Sequence, residues 1–116
     1  MNRVHVIGPA NSGKTRLIVD VVNELRLRGL RVGTIRHTTS QHVLDRPGSD
    51  SYRHRAAGAE PAAIITPDAS AVYRRSSRLD AYASLENEFT ECHVVLVEGD
   101  ADARAPKLEV WRAENG

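Results

Sequence analysis

The chain has 116 residues, of which 41% are hydrophobic and 27% are charged, values that are typical of a globular protein and argue against disorder. Sixteen basic and fifteen acidic side chains nearly cancel, so we expect no nucleic acid partner bound through bulk charge. The single cysteine, Cys92, excludes an internal disulfide, and no apolar stretch approaches the roughly 20 residues that span a bilayer. The N-terminal sequence also lacks the apolar segment of a signal peptide. We therefore expect one cytoplasmic domain over residues 1–116, with no membrane partner.

The first third of the sequence predicts a strand, a helix and a second strand. Residues 4–7 form a short apolar run that glycine and polar residues then stop. Apolar residues recur at helical spacing over residues 14–28, and Gly29 follows where a helix C-cap is expected. Residues 31–36 predict the second strand, which should run parallel to the first through a right-handed crossover.

The remaining segments predict further strands and helices in alternation. Val94–Val97 is a continuous apolar run, as expected for a strand that is covered on both faces. Together the elements predict an α/β protein with three layers, α/β/α, and a mostly parallel sheet. The other predicted elements are a long functional loop at 37–49, a short helix at 50–59, strands at 62–66 and 71–75 around a Pro67-Asp68 turn, a helix carrying Leu79, Tyr82, Leu85 and Phe89, and a last strand at 107–111.

The most informative segment is the loop between the first strand and the first helix. Its sequence, Gly-Pro-Ala-Asn-Ser-Gly-Lys-Thr over residues 8–15, fits G-x-x-x-x-G-K-[ST], the Walker A or P-loop motif. Glycines let backbone N–H groups converge on a phosphate, and the N-terminus of the following helix adds partial positive charge. An ordinary glycine-rich turn with a surface lysine is the alternative. The predicted nucleotide-binding residues are Gly8, Asn11, Ser12, Gly13, Lys14, Thr15 and Arg16.

A P-loop requires an acidic residue near its metal ion. The buried run 94–97 delivers Glu98 to the carboxyl end of a strand, which is the edge where ligands bind in open α/β sheets. Glu98 could hold Mg²⁺ through a water or orient an attacking water, and the alternative is an exposed glutamate that caps a turn. The Thr15 hydroxyl is placed to ligate Mg²⁺. We predict Thr15, Glu98 and Asp45 as the metal ligands, with Asp100 and Asp102 able to share the role of Glu98.

Other polar residues support two interpretations each. His37, His42 and Asp45 could hold a metal ion, but three such residues on one loop are more often simply polar. We interpret Cys92 as a small core residue rather than a nucleophile. One arginine near the loop could contact a phosphate, although each by itself is more often part of a solvated basic surface; the candidates are Arg36, Arg46, Arg53 and Arg55.

Taken together, the motifs resemble those of the MobB family, the molybdopterin-guanine dinucleotide biosynthesis protein B, over nearly the whole chain. The resemblance implies a P-loop protein that binds GTP and Mg²⁺, forms a homodimer, has weak GTPase activity at most and assists the molybdenum cofactor guanylyltransferase. By motif position it implies that Glu98 lies in the metal region and that phosphate is bound by Gly8, Ser12, Gly13, Lys14 and Thr15. Besides the Walker A loop, the segments that carry the resemblance are 28–37, Asp45 to Ser51, Ala57-Gly58-Ala59, Leu96-Val97-Glu98-Gly99 and 106–110.

The sequence also departs from the family pattern and leaves alternatives open. The loop after the second strand has fewer histidines and acids, and Val-Glu-Gly is followed by Asp100 and Ala101 rather than Phe-Lys. One alternative is therefore a nucleotide-responsive binding module that does not hydrolyse. A small-molecule kinase ranks last, because the chain lacks the length for a lid and an acceptor-binding insertion. No Asn-Lys-x-Asp tetrapeptide selects guanine, so the preference for GTP over ATP rests on the resemblance alone.

Overall fold

The computed structural model describes residues 1–39, 48–76 and 81–111. Contacts between residues group the chain into two compact units, Met1–Thr39 with Leu85–Gly116, and Ser40–Ser84. The assignment of residues 1–116 to one domain stays a prediction. In chain order the elements are β1 (Arg3–Ile7), α1 (Lys14–Leu27), β2 (Val32–Arg36), α2 (Asp50–Ala56), β3 (Ala62–Ile65), β4 (Ser70–Tyr73), a 3-10 helix (Ala83–Phe89), β5 (Val94–Glu98) and β6 (Lys107–Glu109).

The first unit is built on a four-stranded sheet with the order β2-β5-β1-β6. All three pairings in it are parallel, so the carboxyl ends of the four strands share one edge. β1 and β2 are parallel, as predicted, but β5 lies between them. In this register Glu98 is opposite Val6 on one side and Arg36 on the other. The strand order therefore brings the ends of β1, β2 and β5 together beside the glycine-rich loop.

α1 covers one face of this sheet. It ends one residue earlier than predicted, and Gly29 follows in a left-handed conformation (φ +81°), which only glycine adopts without strain. An i,i+4 ion pair forms on its outer side, with Arg28 Nε 3.0 Å from Glu24 Oε1. The buried centre of the unit consists of Val6, Ile18 and Leu96. Each such side chain contributes about 1.5–3 kcal/mol by leaving water, so this packing holds α1 against the sheet.

The opposite face of the sheet is also buried. Val95 and Val97, which alternate with Leu96, are 1% and 0% exposed, so the prediction of a strand covered on both faces is confirmed. A Cβ at Gly33 on this face would lie 2.5 Å from Cδ1 of Phe89. Phe89 belongs to the 3-10 helix Ala83–Phe89, where the apolar spacing had predicted a longer helix; Leu79 lies outside the described residues.

The second unit contains α2 and a hairpin. Ser49 caps α2, since its Oγ accepts a hydrogen bond from Tyr52 N at 3.3 Å, and the helix ends at Ala56, earlier than predicted. β3 and β4 pair antiparallel around the predicted turn, which is closed by the hydrogen bond from Thr66 N to Ala69 O at 2.8 Å. Of the predicted loop at 37–49, residues 40–47 lie outside the described residues.

Among the helices that the structure describes, none is long and apolar enough to cross a membrane.

Candidate functional site

The glycine-rich loop joins β1 to α1, and its shape depends on residues that tolerate positive φ. Gly8 has φ +150°, Asn11 +60° and Gly13 +101°. At Gly8 a Cβ would lie 2.2 Å from the carbonyl oxygen of Val110, so no other residue fits there without displacing the backbone that follows β6. Ser12 N donates to Pro9 O at 3.3 Å and closes the turn. The two motif glycines are thus required by the geometry of the loop.

The Ser12 side chain is buried in this loop without a hydrogen bond to any residue that the structure describes. Ser12 is 7% exposed, and its Oγ has no hydrogen-bond partner among the residues that the structure describes. An unsatisfied buried polar group costs about 1–3 kcal/mol, so its presence calls for an explanation. α1 begins directly after Gly13 with no side-chain cap and no acidic residue in its first turn. An unpaired hydroxyl and an uncapped helix N-terminus at one point suit an anion such as a phosphate.

The Lys14 side chain folds back onto the same loop. Its Nζ donates to the carbonyl oxygens of Gly8 at 2.6 Å and Pro9 at 3.1 Å. These contacts place the ammonium group against the loop that carries the unsatisfied hydroxyl. Because the lysine bonds carbonyls and no carboxylate in these contacts, its full charge is available to an anion.

Thr15 and Glu98 come together from opposite ends of the sequence. The Thr15 Oγ1 hydroxyl donates a hydrogen bond to Glu98 Oε1. Glu98 Oε2 lies 3.4 Å from Nε of Arg36, and the glutamate side chain is only 13% exposed. A hydroxyl and a carboxylate are the hard oxygen donors that Mg²⁺ takes, so these two residues fit the predicted metal role. Within the described ranges, His, Cys, Asp and Glu side chains form no metal-binding group of three or more.

Gly99 follows Glu98 directly, and its backbone conformation and close packing require a glycine. It has φ +102°, and a Cβ there would lie 2.7 Å from the carbonyl oxygen of His37. Gly99 N donates to Val6 O at 2.9 Å, and His37 N donates to Glu98 O at 2.9 Å. The ends of β1, β2 and β5 are therefore tied together, which keeps the carboxylate near the glycine-rich loop.

A cavity of about 340 Å³ adjoins Thr15 and Glu98. It lies between α1 and β2, and Arg36 stands beside the carboxylate at its margin. Sequence reasoning named Arg36 only as one of several arginines; its pairing with Glu98 follows from the placement of β5 beside β2, which no local pattern indicates. The remaining lining residues are Ile18, Val19, Val22, Asn23, Thr34 and Ile35.

Of the other predicted site residues, the structure describes some and not others. Arg16 lies exposed in the first turn of α1, and Asn11 is exposed in the loop. Cys92 packs near Gly33, with its Sγ 3.1 Å from where a Cβ would stand, in agreement with a core role. Arg55 lies over the Tyr73 ring at 5.1 Å to the centroid. Asp45, His42 and Arg46 lie outside the described residues, so their assigned roles stay predictions.

A parallel sheet whose first strand leads through a G-x-x-x-x-G-K-[ST] loop into a helix is characteristic of the P-loop nucleoside triphosphatase fold, and the structure confirms the predicted α/β class. The family model "MobB: Molybdopterin guanine dinucleotide synthesis protein B" matches residues 3–116. The chain therefore belongs to the MobB family.

Curated relatives and solved structures agree with this assignment. The chain is 30% identical over 94% of its length to the molybdopterin-guanine dinucleotide biosynthesis adapter protein of Haemophilus influenzae and 29% identical over 89% to that of Escherichia coli. It spans 62% and 61% of those two proteins, about three-fifths of their length. Among solved structures, Bacillus subtilis MobB is 27% identical with a TM-score of 0.78, covering 98% of this chain and 70% of that one. A MobB homologue from Bacillus stearothermophilus is 29% identical with a TM-score of 0.69, covering 97% and 66%.

Proposed function

We propose that this protein binds GTP with Mg²⁺ and acts as an accessory protein in molybdenum cofactor guanine dinucleotide biosynthesis, where it assists the guanylyltransferase. Membership of the MobB family and its similarity to molybdopterin-guanine dinucleotide biosynthesis adapter proteins support the pathway. The observation that carries nucleotide binding is the buried hydroxyl of Ser12, which has no hydrogen-bond partner among the described residues and lies in the loop that the Lys14 ammonium contacts.

In this proposal the glycine-rich loop holds the phosphates. Backbone N–H groups of the loop and of the first turn of α1 donate to phosphate oxygens, and the Ser12 hydroxyl gains the partner that it lacks. Lys14 exchanges two carbonyl contacts for a charged oxyanion, which makes a stronger, charge-assisted bond. Gly8 and Gly13 shape the loop, while Asn11 and Arg16 lie at its rim.

Thr15 and Glu98 would hold Mg²⁺ in the same proposal, with Asp45 as a further ligand that lies outside the described residues. The metal supplies charge neutralisation at the phosphates when it is bound. The two residues already face each other through a hydrogen bond, so little rearrangement is needed to present both oxygens. A cytoplasmic location remains an expectation from the sequence.

Binding is tested by calorimetry and thermal unfolding with GTP, GDP and ATP, each with Mg²⁺. A ligand at a hundred times its Kd adds about 2.7 kcal/mol of stability, which is enough to rank the nucleotides. We expect Lys14→Ala to abolish GTP binding without unfolding the protein. Lys107→Ala is the matched control, because Lys107 also bonds loop carbonyls but lies at the start of β6. Equal GTP affinity in Lys14→Ala and wild type would refute the phosphate site.

The accessory role is tested by the rate of GMP transfer to molybdopterin by a guanylyltransferase, with and without this protein. We expect stimulation that requires GTP and is lost in Lys14→Ala. No effect at any ratio of the two proteins would refute the role. Release of phosphate separates a weak GTPase from a module that does not hydrolyse; we expect slow release, since the site described here has no glutamine that positions water.

We also propose a homodimer. In the β3–β4 hairpin, Ile65 and Val72 share one face and are 84% and 56% exposed. A two-stranded hairpin with apolar residues and open edges is suited to pairing with a second copy. Light scattering after size exclusion should give twice the 12.8 kDa chain mass, and Ile65→Glu should reduce it to the monomer. A monomeric wild type at tens of micromolar would contradict this proposal.

A further inference from the structure

We propose that Arg36 contacts the terminal phosphate of a bound nucleoside triphosphate, so that this arginine makes the protein distinguish a triphosphate from a diphosphate. The inference rests on the proposed function, because it assumes that the glycine-rich loop holds the phosphates. It adds a residue outside the Walker A motif, on a different strand, and gives it a specific role.

The first argument is location. β2 ends at Arg36 and β5 ends at Glu98, and the two residues are opposite each other in the register of the sheet. Glu98 uses Oε1 to accept the hydrogen bond from Thr15 and Oε2 to face Arg36. The guanidinium is therefore separated from the hydroxyl of the Walker A threonine by the width of one carboxylate. In a P-loop, that threonine lies on the metal ion that bridges the last two phosphates.

The second argument is the unused hydrogen-bonding capacity of Arg36. Arg36 Nε lies 3.4 Å from Glu98 Oε2, which is a weak approach, and the arginine side chain is 79% exposed. Neither terminal amino group of the guanidinium makes a hydrogen bond to a residue that the structure describes. A guanidinium is a planar fork that bonds two oxygens of one phosphate, so these groups suit an oxyanion.

The third argument is the balance of charge. Glu98 is a partly buried acid at a site proposed to receive a polyanion, and only Lys14 of the Walker A residues offers a full positive charge. A triphosphate brings one more phosphate than a diphosphate, and that phosphate lies on the side of Thr15 and Glu98. Arg36 is a basic residue that already faces the Glu98 carboxylate. By contrast, Arg31 at the other end of β2 donates its Nε to Glu91 O, at 2.6 Å, away from the site.

The test compares affinities for GMPPNP, a triphosphate analogue that resists hydrolysis, and for GDP, each with Mg²⁺, by calorimetry. We expect Arg36→Ala to weaken GMPPNP binding about 10- to 100-fold, the range for losing a charge-assisted bond, and to change GDP binding less than about threefold. Arg36→Lys should restore part of the GMPPNP affinity, since it keeps the charge and loses the fork. Arg28→Ala is the control, because Arg28 is an equally exposed arginine that pairs with Glu24 on the outer side of α1.

Two outcomes would overturn the inference alone: an equal loss for both nucleotides, or no loss for either, in Arg36→Ala. The proposed function and the inference would be overturned together if the wild-type protein bound neither nucleotide. The same holds if Lys14→Ala bound GMPPNP as tightly as the wild-type protein does. Far-ultraviolet circular dichroism checks that each variant is folded. If Arg36→Ala is not folded, Arg36→Gln replaces it, and the ratio of its affinities for GMPPNP and GDP decides between the same outcomes.

Discussion

Thr15 donates a hydrogen bond to Glu98 across 83 residues of sequence, and this contact joins the two halves of the candidate site. Thr15 lies in the first turn of α1, whereas Glu98 is the last residue of β5. The parallel pairing of β1 with β5 is what brings them together, because it carries Glu98 level with Val6, two residues before the glycine-rich loop. A residue from the motif and one from outside it are thus paired before any ligand arrives.

Ser12→Ala should have opposite effects on stability and binding. Removing a buried hydroxyl that lacks a partner should leave the free energy of unfolding unchanged or raise it by about 1 kcal/mol. The same change should weaken GTP binding about tenfold, since the phosphate loses a donor. Ser51→Ala is the control, because Ser51 is equally buried but has Ser49 Oγ within 3.4 Å; it should lower stability and spare binding. Urea denaturation and calorimetry measure both, and a destabilised Ser12→Ala would contradict the prediction.

Glu98→Gln should weaken GTP binding about tenfold when Mg²⁺ is present and have little effect when EDTA removes it. The amide oxygen still accepts the hydrogen bond from Thr15, so the protein should remain folded. Glu109→Gln is a matched control at the same edge of the sheet, since Glu109 ends β6 and is exposed. Calorimetry with and without the metal measures the effect, and an equal loss in both conditions would argue against a metal role.

Gly8→Ala should abolish nucleotide binding and destabilise the protein by about 3 kcal/mol, because its Cβ would collide with Val110 O at 2.2 Å. Gly29→Ala separates this collision from backbone strain: it also has positive φ, but nothing lies within 4 Å of the added Cβ. It should cost about 1–2 kcal/mol and leave binding intact. Thermal unfolding and calorimetry compare the two variants, and similar behaviour would show that the contact with Val110 is unimportant.

Gly33→Ala should destabilise the protein by about 1–3 kcal/mol without changing GTP affinity, because the added Cβ meets the ring of Phe89 at 2.5 Å and lies away from the loop. In a Phe89→Ala background the same substitution should cost much less, since the obstructing ring is gone. Urea denaturation of the four proteins gives this coupling. Purely additive effects would mean that Phe89 does not pack on Gly33 in solution.

Local sequence patterns were sufficient to predict β1, α1, β2 and β5. A glycine marks the end of the apolar pattern for β1, α1 and β5, whereas β2 is followed by His37. The Walker A loop was predicted from its spacing alone, and Glu98 from the buried run that precedes it. The helix predicted around Leu79 and Phe89 was less accurate: the described part is a 3-10 helix from Ala83. Apolar residues three or four apart do not distinguish a short 3-10 helix from an α-helix.

What the sequence could not supply was the order of the strands. The contact of Arg36 with Glu98 depends on β5 lying between β1 and β2, and this long-range pairing has no local signature. The same holds for the buried hydroxyl of Ser12, since burial results from the folded loop and the residues packed around it. The roles assigned to Asp45 and Arg16 remain predictions.

The proximity of Gly8 to Val110 has a consequence for shortened forms of the protein. The segment after β6 is joined to β1 by the hydrogen bond from Val110 N to Ile7 O, at 2.8 Å. The carbonyl group of Val110 packs against Gly8 at the start of the glycine-rich loop. A chain cut before Pro106 would keep every residue of the Walker A motif and still lose the packing of Val110 against Gly8. An intact motif is therefore no guarantee of an intact site in this protein, and fragments should be judged by whether they retain β6 and Val110.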